Sequence, residues 1–391
     1  MTKFALPTCA ALLVLTVAVT FSASASASAS ATEELIIKIG HVAPLSGGAA
    51  HLGKDNENGA RMAIEELNAS QTLINGKRAK FVLVPEDDGG DPKQGAAVAQ
   101  KLVDANVRAV IGHLNSGTSI PAAKIYSTAQ IPQIAPSVTA IAYTAMGNKS
   151  TFRLVANDGR VGGTLGTYAV QNLHANTIAV IDDRTSFGQG LADQFIKAAK
   201  AANPQIKMAQ RQFTNDKATD FSAILTAIKA SKADVIFFGG MDSVAGPMLR
   251  QMKALGIDSK FMGGDGICSR KIAQLAGDAI KNDQVICAVA GGVMPSEKKG
   301  MDDFLGAYKN RYGTDIQTYS PYTYDAVMTI ADAMKQAKSS EPAVYLPYLQ
   351  KIQRQGITGK IAFDSKGDLK NAAMTLYTYQ NGNRIPITVI K

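Results

Sequence analysis

The chain predicts an α/β protein of two similar lobes, and two observations carry that prediction. Short apolar, β-branched runs alternate with amphipathic helical segments, the order that builds parallel sheets covered by helices on both faces. The alternation passes through twice, and a mature length of about 360 residues exceeds what a single core holds.

The elements follow in order. Residues 35–39 read as a strand, and 56–68 as a helix with Ala60, Ala63, Ile64 and Leu67 on one face. Residues 81–84 are the next strand. Asp91-Pro92 then supplies an N-cap and an N1 proline for a helix to about residue 104. A strand at 107–111, a short helix at 121–130 and a strand at 131–135 complete the first run. The second run has a strand at 177–181, a helix at 190–202 and a strand at 207–213. A helix capped at Asp220 follows, with Phe221, Ile224, Leu225 and Ile228 in register. Strands at 235–238, 260–262 and 285–289, with helices between them, end the run.

Small polar loops fall just past the strand ends: Ser46-Gly47-Gly48, Asn115 to Ser119, Ser137-Val138-Thr139, Ser186-Phe187-Gly188, Gly240-Met241-Asp242 and Gly264-Asp265-Gly266. Open parallel sheets bind ligands in the crevice beyond the carboxyl ends of their strands. Two facing lobes therefore place both sets of loops around one central cleft. Residues 115–119, before Pro121, have the composition of an anion nest, with hydroxyls and helix N-terminal N–H groups suited to a carboxylate. Plain helix capping explains the same residues. Asp265, between two glycines, suits an ammonium, or is simply a turn aspartate.

Enzyme signatures are thin. There is no phosphate-binding glycine loop after a strand and no GxSxG elbow, and Gly162-Gly163-x-x-Gly166 sits inside a helical segment. Of His41, His51, His113 and His174, none are spaced i, i+4, so no metal or other cofactor is expected, although His41 and His113 should lie near one another. The formal charge of +9 is dispersed, which argues against nucleic acid and for a solvated basic surface.

Residues 1–31 predict export. Lys3 precedes an apolar run at 10–21, too short to span a bilayer at about 20 residues. A Ser-Ala alternation then offers cleavage sites from Ala23 to Ala31. Cys9 precedes the apolar run, which argues against a lipid anchor there. Cleavage leaves two cysteines, Cys268 and Cys287, which flank a helical segment at 269–276 and in an oxidising compartment are expected to be bridged.

Several stretches together resemble the branched-chain amino-acid (Leu/Ile/Val) binding proteins of bacterial ABC transporters, which have the type I periplasmic binding fold. They are Ile39-Gly40-x-x-Ala43-Pro44-Leu45-Ser46-Gly47, Asp87-Asp88-x-x-Asp91-Pro92-Lys93-Gln94, Val110-Ile111-Gly112-His113-Leu114 and Phe187-Gly188-Gln189-Gly190-Leu191-Ala192. Leu249-Arg250-Gln251, Phe261-Met262-Gly263 and Phe363-Asp364-x-x-Gly367-Asp368-Leu369 complete the likeness, which runs from residue 36 to 369.

That resemblance implies two Rossmann-like lobes joined by three crossovers near Asn157, Ala288 and Phe363. The N-terminal lobe would hold 33–156 and 288–363, the C-terminal lobe 157–287 and 364–391. It implies Ser116 and Thr139 for the ligand carboxylate, with the backbone of Ser137 beside them. Asp265, where many relatives have Glu, would take the ammonium. Phe187 is the second-lobe aromatic, and Leu52, Met241 and Tyr319 line the side-chain pocket. Leu52 and Met241 replace tyrosines common among Leu/Ile/Val binders. The family's usual cystine positions are Gly90 and Asn115 here, so a Cys268–Cys287 bridge would be a different one.

The implied activity is non-catalytic. A monomer in the periplasm captures a neutral, aliphatic, branched-chain L-amino acid by hinge closure and hands it to an inner-membrane ABC permease. The alternatives are a ligand-sensing module for a signalling receptor, or the same site with a different amino acid or a small amide.

Overall fold

The computed structural model describes residues 1–6, 34–291 and 298–390. The apolar run at 10–21, the cleavage region expected at 23–31 and Cys9 lie outside the described residues. The folded unit begins at Glu34.

Its first sheet has six strands: β1 (Leu35–Ala43), β2 (Leu73–Ile74), β3 (Lys77–Asp87), β4 (Ala109–Gly112), β5 (Gln133–Ala135) and β6 (Thr151–Arg153). Their order is β2-β3-β1-β4-β5-β6, parallel throughout except for β2. The β2–β3 hairpin turns on Asn75-Gly76, both at positive φ, the residues that a two-residue turn of this hand requires. Register runs Leu35↔Ala79 and Ile39↔Ala109 across the centre.

Alternation along β1 sends Ile37 and Ile39 into one core and Val42 into the other. The first core is closed by α1 (Ala50–Ala69), α10 (Lys298–Tyr312), α11 (Ser320–Ala337) and α12 (Pro342–Gln350). The second is closed by α2 (Pro92–Asp104) and α3 (Ser116–Thr128), through Val98, Leu102, Ala122 and Tyr126.

After β6 the chain builds a second sheet from β7 (Thr177–Asp182), β8 (Lys207–Phe213), β9 (Val235–Gly239), β10 (Lys260–Gly263) and β11 (Val285–Val289). β12 (Arg354–Gly356) and β13 (Gly359–Ile361) form a separate hairpin. β14 (Met374–Gln380) and β15 (Asn383–Ile390) then return to the second sheet, giving β15-β14-β11-β10-β9-β7-β8 with an antiparallel edge.

Helices α5 (Asp158–Gln171) and α6 (Ser186–Ala202) cover one face of this sheet, and α7 (Ser222–Ser231), α8 (Asp242–Ala254) and α9 (Lys271–Ala276) the other. A short α4 (Ala142–Ala145) precedes β6. The glycines inside α5 are a packing device. A Cβ on Gly162 would sit 2.7 Å from the Gln194 Cβ, and one on Gly166 2.5 Å from the Phe195 carbonyl, so they let α6 come close.

Three helices start earlier than their apolar periodicity predicts. α1 begins at Ala50, not 56, because its first turns bury the polar Asp55 and Asn56 alongside Leu52. α3 begins at Ser116 and carries Pro121 inside it, where only the bond back to Gly117 is lost. α6 begins at Ser186, capped by the Thr185 hydroxyl, which accepts from Gly188 N at 2.9 Å. Cys268 and Cys287 form the expected disulfide, with Cα atoms 5.4 Å apart. Among the described residues no helix is long and apolar enough to cross a membrane.

Candidate functional site

The functional loops follow the C-terminal ends of parallel strands in both sheets. After β4, Asn115 stands at the N-cap of α3, and Ser116 opens the helix, where the first amides have no carbonyl one turn back. Ser116 Oγ accepts from Ala140 N at 3.3 Å, and Ser137 Oγ donates to Leu114 O at 3.0 Å, which ties the loop after β4 to the loop after β5.

Arg153, fully buried, fixes that second loop from behind. Its guanidinium donates to Val138 O at 3.0 Å, Ala140 O at 2.9 Å, Thr144 Oγ1 at 2.6 Å and Asp368 Oδ1 at 2.5 Å. Thr139, in the same loop, is fully buried, with its hydroxyl against the Asp158 carboxyl.

From the second sheet, Phe187 sits in the first turn of α6, Met241 at the N-cap of α8 and Asp265 just past β10. Asp265 Oδ2 accepts from the Tyr319 hydroxyl at 2.8 Å, while Oδ1 is buried without a partner among the described residues. Burial pushes its carboxyl up to about 6, and the Tyr319 hydroxyl pulls the other way. Tyr319 is itself held by Asp55 on α1, whose carboxylate accepts from the amides of Gln317, Thr318, Tyr319 and Ser320 at 2.7 to 3.1 Å.

Ser116, Ser137, Phe187, Met241, Asp265 and Tyr319 line one cavity with Leu114, Asn115 and Gly266. Its volume, about 20 Å³, is near the room needed by one water. Leu52 packs behind it against Tyr319 and Leu114, with Met241 on the same cluster. Seven of the eight residues expected at the site thus gather at one place, and Thr139 lies beside them without lining that cavity. A larger open cavity of about 730 Å³ lies elsewhere, lined by Leu154 and Lys370 of the linking segments, Tyr322 of α11 and Lys360 of β13.

Three further acids stand here, of which only Asp242 falls in a strand-end loop that the sequence points to. Asp158, the first residue of α5, is buried, and burial pushes its carboxyl up to about 7. Asp183, directly after β7, is raised to about 6 by burial while accepting from the Thr185 amide and hydroxyl. Asp242 opens α8 and is bonded to His51 of α1 and to the Ser269 hydroxyl. An acid just past a strand end or at a helix start was the available signal, and it is shared with ordinary caps. His41 and His113 do lie near each other, yet His113 is engaged by Asp88 at 2.9 Å and Tyr126 at 3.0 Å.

Comparison with known proteins matches residues 36–384 to the family model described as "Periplasmic binding protein". The chain is 34% identical over 353 residues to the Leu/Ile/Val-binding protein homolog 1 of Brucella abortus (strain 2308), covering 88% of this chain and 91% of that one. It is 33% identical over 343 residues to the leucine-, isoleucine-, valine-, threonine- and alanine-binding protein of Pseudomonas aeruginosa, covering 88% and 90%. Among solved structures, the substrate-binding protein LivJ of Streptococcus pneumoniae, in complex with isoleucine, superposes with a TM-score of 0.81 at 26% identity, covering 91% and 99%. The leucine-binding protein LivK of Thermotoga maritima does so with a TM-score of 0.81 at 25% identity, covering 90% and 98%.

Proposed function

We propose, from the premise that the chain belongs to the periplasmic binding protein family, that it is the substrate-binding protein of an ABC importer for a neutral, aliphatic L-amino acid. Leucine, isoleucine and valine are the expected ligands. All three are named for both the Brucella and the Pseudomonas relatives, the latter with threonine and alanine as well, and leucine or isoleucine is named for each of the two structural neighbours.

One observation carries the reading. A buried carboxylate with a free oxygen, Asp265, and a helix start with its hydroxyl, Ser116, line the same cavity with Phe187, Met241 and Tyr319 between them. An ammonium fits the first, a carboxylate the second, and an aliphatic side chain the apolar wall of Leu52, Phe187 and Met241. Ser137 and Thr139 belong to the carboxylate side. None of these wall residues offers a second charge, so burying a charged side chain there would cost several kcal/mol.

The mechanism is hinge closure. A cavity of about 20 Å³ admits no amino acid until the loops of the two sheets part. The lobes that part are about residues 33–156 with 290–363, and 157–289 with 364–391, the crossover expected near Ala288 falling just past Val289 because β11 pairs with β14 through that residue. The ligand docks first on Ser116 and the 137–139 loop. Asp265 and Phe187 reach it on closure, and the closed form is what the membrane permease receives. The protein acts in the periplasm after removal of residues 1–31, as a monomer and without catalysis.

Calorimetry with Leu, Ile, Val, Phe, Glu and Lys tests this. Tight binding confined to the aliphatic ligands is expected, and tight Glu or Lys binding with none for the aliphatics overturns it.

A further inference from the structure

The larger cavity, of about 730 Å³, is lined by three cations and, among the described residues, by no acid. Arg160 comes from the first turn of α5, Lys360 from β13 and Lys370 from the segment before β14. None of these side chains has a hydrogen bond or ion pair among the described residues. Arg160 is the telling one, because its Nε and Nη2 are shut away from solvent without a partner. Buried N–H donors are nearly always paired in native proteins, so two orphans on one guanidinium edge call for an acceptor.

The acids nearby are taken. Asp368 shares a smaller adjoining cavity with Arg160, but it accepts from Arg153, Thr144 and Asn157. The Asp158 carboxyl is engaged by Thr139 and attracted by Arg153. Asp325 accepts from Arg354 and from the Ile357 and Thr358 amides. The cations also come from both halves of the molecule. α5 packs on the second sheet, whereas Thr358, in the turn of the β12–β13 hairpin, is tied to Asp325 of α11, on the first.

We propose that this cavity is a second binding site, separate from the cleft, for a small organic anion with two negative charges and an apolar body, of which a dicarboxylate is the simplest. The Nε–Nη2 edge of Arg160 matches one carboxylate through two parallel N–H bonds. Lys360 and Lys370, both exposed at the rim, hold the second charge. Leu154, Leu369 and Tyr322 cover the carbon skeleton between them. The volume lies within the range of about 300–1,000 Å³ usual for small-molecule pockets. No residue lines both this cavity and the one that holds Ser116 and Asp265, so the proposal does not depend on which amino acid the cleft takes.

The experiment titrates the mature protein with glutarate by calorimetry, beside glutaramide, the same skeleton without charge, and inorganic sulfate. Glutarate should bind with about millimolar affinity or better, and at least tenfold more tightly than either control. Arg160→Met, which keeps the length of the side chain, should lose at least tenfold in glutarate affinity. The double variant Lys360→Gln, Lys370→Gln, changed only at exposed positions, should lose severalfold and decides the matter if Arg160→Met does not fold. Leucine affinity should be the same in all three proteins. No glutarate binding to the wild type overturns the proposal, as does an affinity that Arg160→Met leaves unchanged. Sulfate or glutaramide binding as tightly as glutarate also overturns it, the first as the mark of a general counter-ion site. Glutarate that leucine displaces and that Arg160→Met does not affect sits in the cleft, which overturns it as well. A protein that fails to bind leucine defeats the aliphatic reading alone, since the Arg160→Met comparison needs no leucine.

Discussion

His51 Nε2 lies 2.7 Å from Asp242 Oδ2, a bond between α1, packed on the first sheet, and the first residue of α8, packed on the second. Asp242 is fully buried and also receives the Ser269 hydroxyl, while its other oxygen has no partner among the described residues. Beside this bond a Cβ on Gly48 would lie 3.1 Å from the Ser243 Cβ, so the two halves are in close contact here. With Tyr319–Asp265, it makes a second polar bond across the cleft.

If closure makes this bond, His51→Ala should speed ligand release more than it slows capture. A hydrogen bond to a charged group contributes about 1.5–3 kcal/mol, so dissociation should accelerate roughly ten- to a hundredfold. Stopped-flow release of leucine measures it. An unchanged release rate would mean that the bond exists in the open form as well.

Cys268–Cys287 spans 19 residues of sequence separation. In the chain-entropy model such a loop contributes roughly 3 kcal/mol by restricting the unfolded chain. The denatured, unreduced mature protein should show no titratable thiol. The double Cys268→Ala, Cys287→Ala variant should lose stability of that order in chemical denaturation.

Arg153→Met should destabilise by about 3–5 kcal/mol, because it strands Asp368 and two loop carbonyls that the guanidinium holds. The 137–140 loop would lose its anchor, so affinity should fall with stability. Denaturant titration checks the first and calorimetry the second. A variant of wild-type stability with wild-type affinity would show that the loop holds itself.

These predictions mark where the sequence was legible. Val235 to Gly239 and Lys260 to Gly263 read as strands because central parallel strands, buried on both faces, are near-continuous apolar runs. The loops at their ends, with Met241 and Asp265, could then be named, as could the loop after β7 that leads to Phe187. β15 was not legible, since it is exposed along most of its length and carries Pro386, a residue fit only for an edge. Contacts between remote positions escape periodicity altogether. Nothing near His51 points to Asp242, and Asp158 reads as an ordinary helix-start acid until its burial is seen.

Leu52→Ala should change ligand preference more than stability of the bound state. Leu52 is fully buried against Tyr319 and Leu114, with Met241 adaptable beside it. Removing its side chain enlarges the pocket by a few methylene groups, so phenylalanine and methionine should gain on valine. Calorimetry over the apolar amino acids decides it, and an unchanged rank order would remove Leu52 from the specificity wall.

The pH dependence of stability should separate Asp158→Asn from the wild type in a definite direction. Burial raises Asp158 to about 7, against the pull of the Thr139 hydroxyl, with repulsion from Asp265 adding to it and Arg153 opposing it. The folded carboxyl therefore holds a proton that the unfolded chain, with its ordinary value of 3.8, has released. The stabilisation from that proton is complete below pH 4 and is lost as the pH rises to about 7. Asp265 and Asp183, each raised to about 6, act in the same sense. His41, lowered by burial to about 4 from 6.5, acts in the opposite sense, since below pH 6.5 only the unfolded chain takes its proton. The whole-protein curve mixes these effects, whereas the difference between variant and wild type isolates Asp158. Asp158→Asn should match the wild type near pH 4 and exceed it at pH 8, by about 4 kcal/mol at most. A difference that is constant across pH, or one that closes on the alkaline side, would show that Asp158 does not ionise within the fold.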